Sequence, residues 1–364
     1  MEMPRGPNSP PPVVFVHIGC PKSGTSHIQA RLSANNDEAA RQGLLWPKPW
    51  ERQVRAVRDL RSLGVDDQLK PTGAWNNLCR EISVWEGGAA LVSMEWLVTL
   101  RPYQIKACIE ALEPARVEIV CSARDLVRTL PAHWQESTQN NKHWAWDEFV
   151  AAVTSDDDVR HPAKAEFWNQ QNVPKILQRW NAVVPMDRVH LVTIPPAGAD
   201  PDVLWQRFAS VLPIDGSRFH PPDRQNSSLG VVSASLMRRV NEEARIRGVP
   251  KAMYARYIKQ ILGKQVLAQQ SETEAPIAVP PDVEAWLRRR AEAMVRELDD
   301  MPVHVVGSLD DLIPRPSPSG GRAPSSVDDH ELLAAAVSAL VGVLEVIASR
   351  DSGQGPLEDT DSRQ

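Results

Sequence analysis

Short apolar runs alternate with longer helical patterns along most of this chain. Five apolar runs predict strands, namely 13–18, 89–93, 116–122, 189–194 and a short terminal run at 303–306. Apolar positions at helical spacing predict further helices at 51–63, 74–85, 101–112, 124–140, 146–153, 174–183, 202–212, 230–247, 251–262, 282–298 and 332–347. Strands that alternate with helices predict an α/β fold, with a doubly wound, mostly parallel sheet flanked by helices.

Composition divides the chain into one large domain and its flanking segments. Residues 1–12 and 351–364 are predicted to be disordered tails, 13–312 an α/β domain, 313–327 a flexible Pro/Ser/Gly-rich linker, and 328–350 a C-terminal helix. The apolar part of that helix is shorter than a membrane span needs, and Glu345 lies within it. We therefore expect a docking or self-association helix and no membrane span.

Charge and cysteine content narrow the function classes. Of 364 residues, 41 are Lys or Arg and 46 are Asp or Glu, so there is no basic excess of the kind that indicates nucleic acid as the main partner. The four cysteines are scattered, without a CxxC pair or a neighbouring His, and predict neither a zinc site nor a disulfide framework. The Pro-rich start of the chain lacks a signal-peptide apolar region, so we expect a cytoplasmic protein.

The stretch 13–32 has the layout of a phosphate-binding loop. An apolar strand leads into a loop bounded by Gly19 and Gly24, and a helical pattern follows from Thr25. Such a loop presents backbone N–H groups and a helix N-terminus to a phosphate. The nucleotide-hydrolase form reads GxxxxGK[ST], but here Thr25 replaces the lysine and the lysine lies inside the loop, at Lys22. This predicts a phosphate held by Lys22, two hydroxyls and backbone amides, without metal-assisted phosphoryl transfer.

The segment PKSGTS at 21–26 resembles the 5′-phosphosulfate loop of sulfotransferases, written PKSGTT or PKTGTT. The flanking His17-Ile18-Gly19 and Ile28-Gln29 are similar to the HIG…LQ form of bacterial members. Over about residues 13–310, the resemblance implies a P-loop-type fold and transfer of a sulfuryl group from 3′-phosphoadenosine 5′-phosphosulfate (PAPS), leaving PAP. It also implies that the donor is bound by the loop residues Lys22, Ser23, Gly24, Thr25 and Ser26. The competing interpretation is a chance Gly-rich turn.

Arg124 follows the third predicted strand and resembles the sulfotransferase arginine that binds the donor's 3′-phosphate. A guanidinium suits that role because it is always charged and can bind phosphate through two N–H groups. The family's serine eight residues later is replaced by Ala132, and the sequence leaves open whether Thr129, Gln135 or Ser137 takes its place. The alternative for Arg124 is an ion pair with Asp125 or another carboxylate.

Glu95 directly follows the second predicted strand, where animal cytosolic sulfotransferases carry a catalytic His and some other branches a Glu. A sulfuryl acceptor needs a general base, and the position suits Glu95 for that role. The alternatives are a helix N-cap or a structural ion pair, and His17 is a competing base. The late segment RQNSSLG at 224–230 is a further candidate for closing over the 3′-phosphate, or else a helix cap.

In the mechanism that this resemblance implies, Lys22 stabilises the charge that develops on the departing 5′-phosphate. No metal is required. The expected acceptor is a hydroxyl or amine of a small molecule or glycolipid. A P-loop kinase acting on a small molecule and a non-catalytic nucleotide-binding relative remain the alternatives.

Overall fold

The fold is organised around a six-stranded parallel sheet. In the computed structural model, which describes residues 12–64, 72–156, 160–222, 229–270, 273–315 and 320–351, the strands are β1 (Val13–His17), β2 (Leu44–Leu45), β3 (Ala89–Ser93), β4 (Arg116–Ala123), β5 (Val189–Thr193) and β6 (His304–Val306). They lie in the order β2-β3-β1-β4-β5-β6, and every pairing is parallel. The predicted α/β fold is confirmed, and all five predicted strands are present. Only β2 was not predicted, because two residues carry no periodic signal.

The strand order makes the carboxyl end of β1 the natural ligand site of the sheet. The chain passes from β1 to β2 and β3 on one side, then crosses β1 to build β4, β5 and β6 on the other. In open α/β sheets, ligands bind at the carboxyl edge where the strand order reverses in this way. The loop after β1, the end of β3 and the end of β4 meet at this edge.

The helices are α1 (Thr25–Ala34), α2 (Asn36–Arg41), α3 (Trp50–Ser62), α4 (Ala74–Ser83), α5 (Pro102–Glu110), α6 (Leu126–Gln139), α7 (Trp146–Thr154), α8 (Pro162–Gln171), α9 (Val173–Asn181), α10 (Asp202–Ala209), α11 (Val231–Ile246), α12 (Lys251–Met253), α13 (Ala268–Gln270), α14 (Pro281–Asp299) and α15 (Asp329–Asp351). A π-helical segment, Tyr254–Leu267, joins α12 to α13. The sequence did not predict α2 or α8. It also predicted α6 to begin two residues too early, because the strand before it extends to Ala123.

The described residues group into two compact units. Unit 1 comprises the described residues of 1–129, 165–226 and 287–315 and holds the whole sheet. Unit 2 comprises those of 130–164, 227–286 and 316–364 and is mostly helical. The predicted tails at 1–12 and 351–364 lie almost wholly outside the described residues, as do 316–319 of the predicted linker and 224–228 of the late segment.

Residues 320–327 of the predicted linker are hydrogen-bonded within unit 2. Arg322 forms a parallel bridge with Ile277, and its guanidinium contacts Glu331 at 2.7 Å and 2.9 Å. The next helix, α15, has 23 residues and lies one residue later than the predicted C-terminal helix at 328–350. Among the described helices, the Asp329–Arg350 segment alone is long and apolar enough to cross a bilayer on length and composition.

Arg31 ties α1 to α10 in unit 1 through buried polar contacts. Its side chain is 5% exposed, and Nη1 contacts Asp202 Oδ1 at 2.6 Å. Its Nε and Nη2 donate to the carbonyl of Phe219 at 3.1 Å and 2.6 Å, and the guanidinium lies 5.1 Å from the centre of the Trp205 ring. One side chain therefore fixes the helix that follows the loop after β1.

We expect Arg31→Ala to lower the free energy of unfolding by about 2–3 kcal/mol, since the Phe219 carbonyl loses both donors and the packing against Trp205 is lost. Urea titration monitored by circular dichroism measures this. Arg55→Ala, on the exposed side of α3, is the control and should stay within about 0.5 kcal/mol of the parent. Equal stability of the two variants would contradict the assignment.

Candidate functional site

The loop after β1 begins with hydrogen bonds to β4 and ends at the N-cap of α1. The amides of Ile18 and Cys20 donate to the β4 carbonyls of Val120 and Ser122 at 2.9 Å and 2.8 Å. The chain then turns, and Gly24, with φ 78°, caps α1 in the left-handed conformation. Among the residues that the structure describes, no side chain caps α1, and its first turn contains no acidic residue, so the positive end of the helix dipole faces the loop. The predicted strand–loop–helix layout is present.

Two glycines are needed by the geometry of this loop. A Cβ on Gly19 would lie 2.8 Å from Thr25 Oγ1, and one on Gly24 would lie 2.4 Å from Leu204 Cδ2. Both residues also have positive φ, at 34° and 78°. Lys22 has φ 68°, an uncommon conformation for a residue with a side chain, of the kind that concentrates at functional sites.

Side chains from outside the loop contact two of its backbone carbonyls. Gln171, at the end of α8, donates its side-chain amide to the carbonyl of Pro21 at 3.0 Å. Arg124 Nη1 approaches the carbonyl of Lys22 at 3.5 Å. The structure therefore brings together Lys22 and Arg124, which are about a hundred residues apart in sequence. The sequence did not predict this contact of Gln171, because α8 has no clear apolar face from which a helix could be predicted.

A buried chain of hydrogen bonds runs beneath the loop, and its direction can be assigned. Ser23 Oγ donates to the carbonyl of Cys20 at 2.5 Å. Because its proton is used there, Ser23 Oγ accepts from Ser122 Oγ, 2.6 Å away. Ser122 Oγ has then used its own proton and accepts from His17 Nε2 at 3.0 Å. His17 is therefore protonated on Nε2.

The hydrogen bonds on the other side of the His17 ring agree with this tautomer. His17 Nδ1 carries no proton and accepts from Ser93 Oγ at 2.8 Å. Ser93 Oγ in turn accepts from the amide of Gln29 at 3.2 Å. Every member thus donates in one direction, from Gln29 through His17 to the Cys20 carbonyl. We call this set of residues (Gln29, Ser93, His17, Ser122 and Ser23) the His17 relay.

Complete burial lowers the pKa of His17 to about 3, so the ring is neutral at ordinary pH. Both ring nitrogens are engaged, and the side chain is not exposed to solvent. A base must reach the acceptor's proton, and this geometry does not let His17 do so. Its observed role is to support the loop from below.

Ser23 is hydrogen-bonded within the loop. Both its amide and its hydroxyl donate to the carbonyl of Cys20, and the side chain is fully buried. Ser23 therefore shapes the loop from inside. Ser26, by contrast, is exposed at the start of α1.

Within the described residues, the buried polar atoms that form no hydrogen bond include one on Thr25 and one on Arg124, beside the loop. The first is Thr25 Oγ1, on a residue that is 3% exposed, and the second is Arg124 Nε. A buried donor without a partner is costly, and one that fits a ligand indicates a binding site. Together with the open end of α1, these donors suit an anion with several oxygens.

Arg124 does not form the ion pair that was its alternative explanation. The carboxylate of Asp125 instead receives both the side chain and the amide of Arg128. Burial, followed by the charge of Arg128, lowers the pKa of Arg124 to about 10, so the guanidinium is charged at neutral pH, and no carboxylate among the described residues forms an ion pair with it. An anionic ligand would supply the missing charge.

The three candidates for the serine missing at Ala132 differ in the structure. Thr129 is fully buried with an unpaired Oγ1. The amide of Gln135 donates to the carbonyl of Leu229, and Ser137 is buried in α6. Thr129 is thus the candidate whose hydroxyl still has a hydrogen bond to make, although it is not exposed.

Glu95 is half-buried and lies at the same sheet edge as Lys22, since it follows β3, the neighbour of β1. It is the first residue of a 3₁₀ turn, Glu95–Thr99, whose N-cap is Met94. Arg58 and Arg61 lie 5.4 Å and 5.5 Å from the centre of the Trp96 ring in the same turn. Burial, followed by the charge of Arg58, lowers the pKa of Arg61. This basic pair on α3 was missed, although its three-residue spacing was a usable signal.

Comparison with known proteins gives similarity at the level of solved structures. The chain matches no known family profile and no curated protein. A sulfotransferase from Alicyclobacillus acidocaldarius aligns over 80% of this chain and 95% of its own, with 13% sequence identity and a TM-score of 0.37. We therefore base the function on the chain's own residues.

The pKa of His17 predicts acid sensitivity. The folded value of about 3 lies below the ordinary 6.5, so the unfolded chain binds this proton more strongly and stability is lost as pH falls through that window. At pH 4.5 the loss amounts to about 2–3 kcal/mol. We expect His17→Asn to be less stable at pH 7.5 but to lose about that much less on acidification, as measured by urea unfolding at both pH values.

His330→Asn, in the exposed first turn of α15, is the matched control and should keep the parent's pH dependence. A His17→Asn protein that loses as much stability on acidification as the parent would show that the buried ring is not its source.

Proposed function

We propose that this protein is a PAPS-dependent sulfotransferase that acts on a hydroxyl or amine of a small-molecule or glycolipid acceptor. The observation that carries the proposal is the pair of unsatisfied buried donors, Thr25 Oγ1 and Arg124 Nε, on either side of the Lys22 loop. PAPS has two anionic ends, a 5′-phosphosulfate and a 3′-phosphate. The loop suits the first, and Arg124, charged and without a paired carboxylate, suits the second.

Each residue of the site then has a distinct role in the sulfuryl transfer. PAPS supplies a sulfuryl group whose transfer breaks the bond between sulfur and the 5′-phosphate oxygen. Lys22, the open N-terminus of α1 and Thr25 stabilise the negative charge that the 5′-phosphate gains. Glu95 accepts the proton that the acceptor hydroxyl or amine loses as its new bond to sulfur forms. The His17 relay holds the loop in the shape that positions Lys22.

A P-loop kinase is the neighbouring alternative. In that class, a lysine directly after the last loop glycine reaches the β- and γ-phosphates, and a hydroxyl beside it binds Mg²⁺. Here Thr25 occupies the position of that lysine, and its hydroxyl is buried. This arrangement favours a phosphosulfate donor over ATP–Mg²⁺.

We expect PAP to raise the melting temperature and ATP–Mg²⁺ to leave it unchanged. At a hundred times its dissociation constant, a ligand specific for the native state adds about 2.7 kcal/mol. Calorimetric titration of PAP and of adenosine 5′-monophosphate then isolates the 3′-phosphate. Arg124→Ala should weaken PAP at least tenfold, because a charge-assisted contact is lost, and should change the affinity for the monophosphate less than twofold.

Arg55→Ala, which removes an exposed arginine elsewhere in unit 1, should leave both affinities unchanged. Stabilisation by ATP–Mg²⁺ without PAP would support a kinase instead. Equal losses of PAP and of the monophosphate in Arg124→Ala would mean that this arginine supports the fold and does not contact the 3′-phosphate.

Glu95→Gln tests the base. The variant keeps the size of the side chain and removes the proton acceptor, so turnover should fall by roughly a hundredfold to ten-thousandfold while PAP affinity stays within about twofold. Release of PAP from PAPS, measured against an acceptor panel, reports turnover. The exposed Glu86→Gln is the control and should keep the parent rate.

Parent-like turnover in Glu95→Gln would remove this residue from the mechanism. A joint fall in melting temperature and PAP affinity would identify it as a structural residue at the end of β3. PAP binding without turnover in the parent protein, across the acceptor panel, would favour a non-catalytic nucleotide-binding relative.

A further inference from the structure

The outer face of α15 carries a row of exposed apolar side chains. Leu333, Val337, Leu340, Val341 and Leu344 are 64%, 57%, 62%, 50% and 58% exposed. We call these five residues the α15 stripe. Contiguous exposed apolar surface of this kind marks an interaction site more often than it occurs by chance.

The inner face of α15 is already occupied within unit 2. The helix contacts α11 and the π-helical segment Tyr254–Leu267. Ala339 is 3% exposed, and Ser338 Oγ is 2.9 Å from the side-chain amide of Gln270. A Cβ on Gly342 would lie 2.8 Å from Val266, so the backbones approach closely there. The stripe is therefore the face left for a partner.

The spacing of the stripe fits another helix. Residues 333, 337, 340 and 344 alternate by four and three, which is the seam of a left-handed coiled coil, and Ile347 continues it. Val341 widens the seam on one side. When the spacing alternates strictly between three and four residues, every side chain of the stripe can face the same partner helix. Contact with a flat surface does not require such spacing.

A partner helix suits α15 better than a bilayer does, although α15 is long and has a mean hydropathy of 2.2. While α15 is docked, a span would carry α11 with it, and α11 contains Arg238, Arg239 and Glu242. Insertion along the membrane surface is favoured by Lys and Arg beside the apolar face. Here the helix has three carboxylates before its last turn, Asp329, Glu331 and Glu345, against Arg350.

We propose that the α15 stripe binds the same stripe of a second copy of this chain, with the two helices antiparallel. In that register Leu333 faces Leu344 and Val337 faces Leu340, so the seam is self-complementary, as a two-fold interface requires. The acidic first turn of each helix then lies near the last turn of the other, where Arg350 is located. A parallel pair would instead bring like charges and like helix ends together.

Sedimentation equilibrium of the full chain tests the dimer. The parent should show twice the 40.4-kDa mass of the chain at micromolar concentration. Leu340→Glu should raise the dimer dissociation constant at least a hundredfold, and Ile246→Glu should not change it. Ile246 is a matched control, because it is 65% exposed and lies in unit 2 but outside the stripe. If Leu340→Glu unfolds, Leu333→Ser and Leu344→Ser remove the same contacts without adding charge.

Cross-linking tests the orientation. The four native cysteines are buried, so an engineered surface cysteine is the reactive one. In an antiparallel pair, a mixture of Leu333→Cys and Leu344→Cys should give mainly the mixed disulfide. Homodisulfides from each variant alone would overturn the antiparallel arrangement.

A parent protein that stays monomeric at tens of micromolar would overturn the proposal, as would a dimer that Leu340→Glu leaves intact. Flotation with phosphatidylcholine–phosphatidylglycerol vesicles is the third test. Vesicle binding by the parent that Leu340→Glu abolishes, without a dimer in solution, would assign the stripe to a membrane. Catalytic activity does not enter these measurements, so they stand independently of the proposed sulfotransferase function.

Discussion

The one-directional hydrogen-bond chain through His17 is the constraint on which the site depends. Its members come from three neighbouring strands, from the loop and from α1, and each serine hydroxyl donates its single proton in the same direction. Parallel register makes this possible, because it sets His17 beside Ser93 on one side and near Ser122 on the other. In a low-dielectric core, a fully satisfied polar network is stable, and one that loses a member is costly. The loop above it is therefore held in one shape.

The groups around the loop contrast with the relay beneath it. In the relay, His17 uses both ring nitrogens and each serine hydroxyl is hydrogen-bonded. Around the loop, within the part of the chain that the structure describes, Thr25 Oγ1 and Arg124 Nε are buried without hydrogen-bond partners, and no side chain caps α1. Leaving such groups unsatisfied is costly, and a bound anion would offset that cost. A rigid support beneath uncompensated positive charge is the arrangement that preorganises an anion site.

In unit 2, helix α15 likewise has one apolar face that is packed and one that is exposed. One face of α15 packs within the unit, and the other exposes Leu333, Leu340 and Leu344. The helix is apolar over most of its length, and folding of one chain leaves much of that apolar surface exposed. Self-association is the arrangement that would bury the rest.

The sequence by itself determined the parallel α/β sheet and the strand–loop–helix at 13–32, because both follow from local periodicity and glycine spacing. It also singled out Lys22, Glu95 and Arg124, since residues that follow buried strands end at one sheet edge. Only the tertiary structure decided the rest. It turned Ser23 inward, paired Asp125 with Arg128, and placed Gln171 against Pro21. These outcomes depend on distances between residues far apart in the chain, which the spacing of residues within a single sequence does not encode.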